Sequence, residues 1–202
     1  MIRLILLLIG YSIGCIQSAY IVGKIHGIDI REHGSGNAGT TNIMRTIGKK
    51  AGVLVFLLDF FKCFLVTSLV IYIFRADAYA SYLYGIYAGA GVMIGHNFAF
   101  YLKFKGGKGI ACGMGLIVAL NFWLGLGICI AGITIVAITK YMSLGSLISA
   151  FVVPFAFYIS GVRGELFILT ICLAILAIYQ HRGNIVRLVN GTENKFSVKK
   201  QL

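Results

Sequence analysis

The sequence predicts an all-α protein: a polytopic membrane bundle of about seven spanning helices, N-terminus outside and C-terminus cytoplasmic. Three observations carry this. The 202 residues are 59% hydrophobic, with a mean hydropathy of +0.91, whereas soluble domains are roughly 45–50% apolar. Apolar runs near the ~20 residues that a helix needs to cross a bilayer recur along the chain. The Lys and Arg residues crowd into the connections of one face. A water-soluble helical bundle would need a charged stripe on each helix, and those stripes are absent.

The spans fall at about 3–22, 51–74, 82–102, 109–121, 123–139, 147–161 and 165–180. The first, within MIRLILLLIGYSIGCIQSAY, could imitate a secretory signal, but the rest of the chain is membrane-bound, so a first spanning helix is expected. The second carries Asp59 and Lys62, three apart on one helix face. Charges at that depth are costly, so a mutual pair facing the bundle interior is expected, with a proton relay as the alternative. The fourth is short and contains Gly109, Gly113 and Gly115, which suits a tilted, broken or closely packed helix. A single proline, Pro154, lies within the sixth. No fixed-period repeat divides the chain, so residues 1–202 are expected to form one domain. Five scattered cysteines without a CxxC pair predict neither a disulfide framework nor a zinc site, but small buried hydrophobes.

Seven crossings put the connections at 23–50, 103–108, 140–146 and 181–202 on one face. They hold 14 of the 18 Lys and Arg residues: Lys24, Arg31, Arg45, Lys49, Lys50, Lys103, Lys105, Lys108, Lys140, Arg182, Arg187, Lys195, Lys199 and Lys200. Arg3, Arg75 and Arg163 fall on the opposite face, and Lys62 lies within a span. Positive residues stay inside, which makes the first face cytoplasmic. The net charge of +12 is then ordinary anchoring to anionic headgroups, the tail KFSVKKQL included, and predicts membrane lipids rather than nucleic acid as partners.

The same face collects every unusual polar stretch: HGSGNAGTTNIMR (33–45), GHNFAFYLKFKGGKG (95–109), KYMSLGS (140–146) and HRGNIVRLVNGTE (181–193). Gly34, Gly36 and Gly39 let successive N–H groups converge into an anion nest. Ser35, Asn37, Thr40, Thr41 and Asn42 add hydroxyls and amides, and Arg45 a fork suited to phosphate. If a short helix begins near Thr41, Arg45 lies one turn further on the same side. Lys105 and Lys108 flank the pair Gly106–Gly107 and add two point charges to a mobile backbone. A flexible, positive-inside connection is the bland reading of either loop; both on one face point to one large phosphorylated ligand or to two phosphates. The pattern GxxxxGK[ST] is absent, so nucleotide hydrolysis has no support. His96 and His181 sit where they could face the site, while His26 and His33 read as surface residues. Of six acids, Asp29, Glu32, Asp59, Asp77, Glu165 and Glu193, two lie on the far side. No paired-carboxylate metal site is visible. Chemistry here must be poor in general bases and rich in anion stabilisation.

In this order and spacing, the three longer motifs resemble those of the bacterial acyl-phosphate-dependent glycerol-3-phosphate acyltransferases. KYMSLGS matches more loosely, through Ser143 and Ser146. The resemblance covers essentially the whole chain. It implies transfer of an acyl group from acyl phosphate to the primary hydroxyl of glycerol 3-phosphate, giving lysophosphatidate and phosphate in phospholipid biosynthesis at the bacterial cytoplasmic membrane. It implies no metal and no cofactor, and nothing requires a partner chain, so a monomer is expected. It places Ser35, Arg45, Lys105 and His181 in catalytic roles. Substrate contacts fall to Gly34, Gly36, Asn37, Thr41, Asn42, His96, Gly106, Gly107, Lys108, Ser143 and Asn184. The Ser35–Asn37 cradle with Thr41 and Asn42 is expected to hold the donor phosphate, and Arg45, Lys105, His181 and Asn184 the glycerol phosphate. The attacking hydroxyl passes its proton to a substrate phosphate oxygen, or to His96 or His181.

Other classes fit less well. No histidine has an aspartate five positions later, against the His–Asp acyltransferase mechanism. The lone Pro154 excludes the lipid-phosphatase pattern of Arg-Pro and Pro-Ser-Gly-His. A transporter of a phosphorylated solute would place polar groups at the bilayer midplane, often in repeated halves. A purely structural subunit would not need these glycine, amide and hydroxyl motifs.

Overall fold

In the computed structural model, which describes residues 1–196, ten α-helices follow one another: α1 (Ile2–Gly14), α2 (Ser18–Ile25), α3 (Thr40–Thr46), α4 (Lys49–Ile73), α5 (Ala78–Asn97), α6 (Ile110–Leu120), α7 (Phe122–Thr139), α8 (Met142–Ile159), α9 (Gly164–Gln180) and α10 (Arg182–Val189). No strand occurs among the described residues. Most of the tail expected to anchor to headgroups, with Lys199 and Lys200, lies outside them. Four helical units are long and apolar enough to cross a membrane: Ile2–Ile25, α4, α7 and α8. A fifth arises if α9 and α10, bent by 59°, form one broken span. Their outward faces carry Leu4, Leu65, Leu69, Ile130, Phe151 and Ile175, all exposed, as lipid-facing residues should be.

Small residues set the packing. Gly10 and Gly14 of α1 lie against the backbone at Ala88 and Val92, and Gly91 and Gly95 of α5 against that at Leu7 and Tyr11. These reciprocal small-xxx-small faces let the two backbones touch. Lipid supplies no hydrophobic drive between helices, so such close packing is what holds the pair. The 20-residue α5 has six residues of glycine or alanine in its buried set and forms the centre of the bundle. Its Val92, Leu83 and Ile86 pack with Cys63, Cys112, Leu116 and Phe157 in the main core. Four cysteines are buried, Cys172 is exposed, and all five are free.

Several boundaries differ from those expected. The first span is broken between Gly14 and Ser18. Gln17 Nε2 stitches the break to α5 by donating to the carbonyls of Gly95 at 3.3 Å and His96 at 2.9 Å, and Lys62 Nζ donates to the Ile16 carbonyl at 2.8 Å. These buried donors supply what a lipid-facing break would lack. The third helix starts earlier and stops earlier than 82–102. Asp77 caps it, its carboxylate accepting from Ala80 N at 2.9 Å, and the chain leaves at Asn97 to build a loop. KYMSLGS is not a connecting loop. Lys140, at φ 64, and the extended Tyr141 turn the chain, and Met142–Ser146 form the first turns of α8. The short α6 has 11 residues, which extend about 16 Å at 1.5 Å per residue.

Asp59 and Lys62 form the expected pair: Asp59 Oδ1 and Lys62 Nζ are 2.8 Å apart, with Asp59 only 1% exposed. Ser18 Oγ donates to the same carboxylate at 2.8 Å, and Lys62 Nζ donates to His96 Nδ1 at 3.1 Å. The network joins α2, α4 and α5 beneath the site. An Asp59→Ala substitution leaves the ammonium buried and unpaired, a loss of about 3–5 kcal/mol. Unfolding in detergent should shift down by about 10 °C, at roughly 2–4 °C per kcal/mol for a chain of this size. A paired Asp59→Ala/Lys62→Met variant should recover most of that shift, as read by thermal melting.

Candidate active site

The opening loop owes its shape to two glycines and one asparagine. Gly34 and Gly36 sit at φ +59 and +69, which L side chains rarely adopt. The Asn42 side chain is fully spent inside the loop: Nδ2 donates to the carbonyls of Ile30 and His33, both at 2.9 Å, and Oδ1 accepts from Ser35 N at 3.0 Å. Asn42 was expected to hold phosphate, but it has no donor left for one. It is the strut that presents Ser35, Gly36 and Asn37. The helix expected near Thr41 is α3, with Gly39 at its N-cap and Arg45 one turn along.

The second loop is pinned to the end of α5. Gly106 N donates to the Asn97 carbonyl at 3.1 Å and Gly107 N to that of His96 at 3.0 Å. Gly107 lies flat against the His96 ring and the Ala38 carbonyl, so it joins this loop to the opening one. The His96 ring accepts from Lys62 at Nδ1, so its remaining proton is on Nε2, the atom beside Gly107.

Both loops open onto one cavity of about 920 Å³. Fourteen of the fifteen expected site residues line it: Ser35, Gly36, Asn37, Thr41, Asn42, Arg45, His96, Lys105, Gly106, Gly107, Lys108, Ser143, His181 and Asn184. Gly34 does not; it acts through the turn. The cavity is amphipathic. Beyond the polar end it continues along Met114, Ile117, Ile128, Gly132, Ile133 and Val136. A second, apolar groove of about 250 Å³ shares Ile128, Gly132 and Ser149 with it and extends between α7 and α8 to Trp123.

Glu193, which carried no expectation, organises the far wall. Its Oε1 accepts from Ser143 Oγ at 2.8 Å and Asn184 Nδ2 at 2.7 Å, and its Oε2 accepts from Arg187 Nε at 2.7 Å. Asn184 Oδ1 in turn accepts from Lys108 Nζ. Burial opposes ionisation of Glu193, but the hydrogen bonds from Asn184, Ser143 and Arg187 outweigh it and hold the carboxyl below its ordinary value. Burial also pushes the Lys108 ammonium down to about 8; Glu193 opposes the shift, and Arg187 and Arg45 add to it. Arg45 Nη2 donates to the carbonyls of Asn194 at 3.2 Å and Lys195 at 3.5 Å, long and exposed contacts that a better acceptor can displace. His181 Nδ1 donates to the Ala177 carbonyl at 2.8 Å, which leaves Nε2 of the neutral ring as an acceptor. Asp59, His96 and Cys112 bring three potential metal ligands within 4.8 Å of one another. The Lys62 ammonium, bonded to Asp59 and His96, already fills the cation's place.

Fold and site together define an all-helical protein with membrane-crossing helices, built around a cationic, glycine-lined cavity with an apolar arm. The family model described as glycerol-3-phosphate acyltransferase matches residues 4–191, and the chain belongs to that family. A glycerol-3-phosphate acyltransferase of Endomicrobium trichonymphae is 40% identical over 202 residues, covering 100% of this chain and 99% of the relative. Glycerol-3-phosphate acyltransferase 2 of Bacillus cereus (strain ATCC 10987 / NRS 248) is 39% identical over 199 residues, 98% of this chain and 96% of the relative. The crystal structure of PlsY (YgiH), an integral membrane glycerol 3-phosphate acyltransferase, superposes in its glycerol 3-phosphate form with a TM-score of 0.89 at 33% identity, covering 96% of each chain. Its lysophosphatidic acid form gives 0.84 at 32% identity, covering 97% of this chain and 96% of that one.

Proposed function

We propose that this chain transfers an acyl group from acyl phosphate to glycerol 3-phosphate, forming lysophosphatidate and phosphate. One observation carries the reading: a single cavity joins a cationic, amide-rich end to an apolar arm between membrane helices. A donor with a phosphate head and an acyl tail matches both ends. The turn at Ser35–Asn37, with Thr41, holds the donor phosphate. Arg45, Lys105 and Asn184 grip the glycerol phosphate, with Lys108 and Ser143 beside them; His181, expected to join them, offers only the acceptor Nε2 and serves a hydroxyl instead. Gly106 and Gly107 let the second loop approach, and His96 buttresses it.

The primary hydroxyl oxygen of glycerol 3-phosphate attacks the carbonyl carbon. The new ester C–O bond forms, the bond from that carbon to the phosphate oxygen breaks, and its electron pair leaves with the phosphate. The hydroxyl proton goes to a phosphate oxygen. Both carboxylates of the cavity are engaged: Asp59 Oδ1 accepts from Ser18 and the Lys62 ammonium, and Glu193 accepts from Ser143, Asn184 and Arg187. Catalysis rests on positioning and charge neutralisation, which an activated mixed anhydride with a good leaving group permits. In the bound substrate His181 Nε2 accepts from the attacking hydroxyl and orients it, and the bond is given up as the proton passes to the phosphate.

The whole chain, residues 1–202, acts as one domain and as a monomer. The distribution of Lys and Arg supports seven crossings, an external N-terminus and a site on the cytoplasmic face of a bacterial inner membrane. In that arrangement α5, α6 and α9 complete the spans. The test is to incubate the purified protein with palmitoyl phosphate and labelled glycerol 3-phosphate and to look for labelled lysophosphatidate. Folded protein that yields none, with acyl-CoA and acyl carrier protein donors equally silent, sinks the reading.

Lys108 makes binding of glycerol 3-phosphate pH-dependent. Its cation is fully present well below pH 8 and lost above it, whereas a bound phosphate dianion raises its pKa. Affinity is therefore retained at low pH and falls as pH rises through about 8. The KM for glycerol 3-phosphate should climb by up to about tenfold per pH unit above that point. In Lys108→Met the KM should be higher at pH 7 and flat through the same range.

A further inference from the structure

Asn97, the last residue of α5, is 2% exposed and lines the cavity, yet neither its Oδ1 nor its Nδ2 has a hydrogen-bond partner among the described residues. Each of the other buried polar side chains of the cavity has at least one partner in the protein, His181 included through the Ala177 carbonyl. Asn42 serves the loop, Asn184 joins Lys108 to Glu193, Ser143 serves Glu193, and Asp59 and His96 share Lys62. The Asn97 side chain is also held in place. Its own carbonyl receives Gly106 N, and Gly109, at φ +78, backs onto the amide so closely that a Cβ there would stand 2.6 Å from Oδ1.

A buried amide with both ends unmatched calls for a ligand that donates and accepts at adjacent atoms. Acyl phosphate at neutral pH offers acceptors only. Glycerol 3-phosphate is the substrate with hydroxyls, and they are vicinal. A primary amide is not a base, so its acceptor suits the hydroxyl that keeps its proton throughout, the one on C2. We propose that Asn97 reads the vicinal diol of glycerol 3-phosphate, Oδ1 accepting from the C2 hydroxyl and Nδ2 donating to the C1 oxygen. The C1 proton then stays free to leave, and C1 rather than C2 faces the donor carbonyl. Asn97 thereby becomes a specificity-determining residue. The assignment rests on the acyl-transfer reading above.

The test compares glycerol 3-phosphate with 3-hydroxypropyl phosphate, which lacks only the C2 hydroxyl, using palmitoyl phosphate as donor. A site that hydrogen-bonds a substrate hydroxyl rejects the analogue without it, so the wild type should prefer glycerol 3-phosphate by at least about 10²-fold in kcat/KM. In Asn97→Leu and Asn97→Ala, kcat/KM for glycerol 3-phosphate should fall by about 10²-fold while that for the analogue changes by less than about threefold, so the preference collapses. A merely structural role lowers both substrates equally, and that outcome overturns the proposal. So does a wild-type enzyme that uses the analogue as well as glycerol 3-phosphate, a result that needs no folded variant. Absence of any wild-type turnover condemns the acyl-transfer reading instead.

Discussion

Replacing Arg45 with alanine should lower kcat/KM by about 10³-fold without a measurable change in thermal unfolding. The guanidinium is the one planar, two-pronged cation on the opening loop's helix, and it faces the cavity with only long, exposed contacts to the Asn194 and Lys195 carbonyls. Removing such contacts from an exposed side chain costs stability no more than about 0.5 kcal/mol. Removing a fork that pairs with phosphate in a half-buried site costs about 2–5 kcal/mol of binding. Arg45→Lys keeps the charge and loses the geometry, so it should recover only about tenfold of the deficit. Steady-state kinetics with each substrate varied in turn separates two roles. If Arg45 grips glycerol 3-phosphate in the ground state, its KM rises and kcat holds. If the fork engages only as charge develops, kcat falls at constant KM. An Arg45→Ala enzyme with wild-type kcat/KM would remove Arg45 from the site.

The convergence of the polar motifs was legible because charge and hydropathy report it directly. A glycine, hydroxyl and amide stretch has no place in lipid, and the Lys and Arg bias assigned all such stretches to one side. The features that escaped have physical reasons. The break at Gly14–Gln17 hides in an apolar run, since one glutamine hardly lowers the hydropathy of twenty residues; its partners, the carbonyls of Gly95 and His96, are far away in sequence. Asn42 reads as a ligand-binding amide until the loop closes on it, because a strut and a binder share the same chemistry. Glu193 has neither periodicity nor neighbouring acids to mark it, and its importance comes from three donors on α8 and α10. SLGS joins a helix because Lys140 takes a left-handed turn that sequence alone rarely signals for lysine. The apolar arm was invisible for a different reason: Ile128 and Ile133 line a cavity with the same residue type that faces lipid elsewhere on α7.

Gly107→Ala should reduce activity by at least about 10²-fold, the effect expected when catalytic groups shift by about an ångström. The added methyl has nowhere to go. It would run into His96 Nε2, with the Ala38 carbonyl and His96 Cε1 both 2.8 Å away. The His96 ring is 3% exposed and tied through Lys62 to Asp59, so it cannot swing aside without breaking the buried charge network. The Ala38 carbonyl belongs to the opening loop, so the alternative is to push Ser35–Thr41 away from Lys105 and Lys108. Either adjustment separates the two loops that meet at the polar end of the cavity, which is why a single methyl should matter more here than the loss of a surface charge. Gly127→Ala supplies the contrast: beyond its own stretch of helix, no atom of the described residues lies within 4 Å of the new Cβ, and alanine is favoured over glycine in a helix by about 0.5–1 kcal/mol. That variant should keep wild-type activity and melt no lower. Equal activity in Gly107→Ala and Gly127→Ala would mean that the two loops need not touch for the enzyme to work, and the single cavity would lose its claim to be the site.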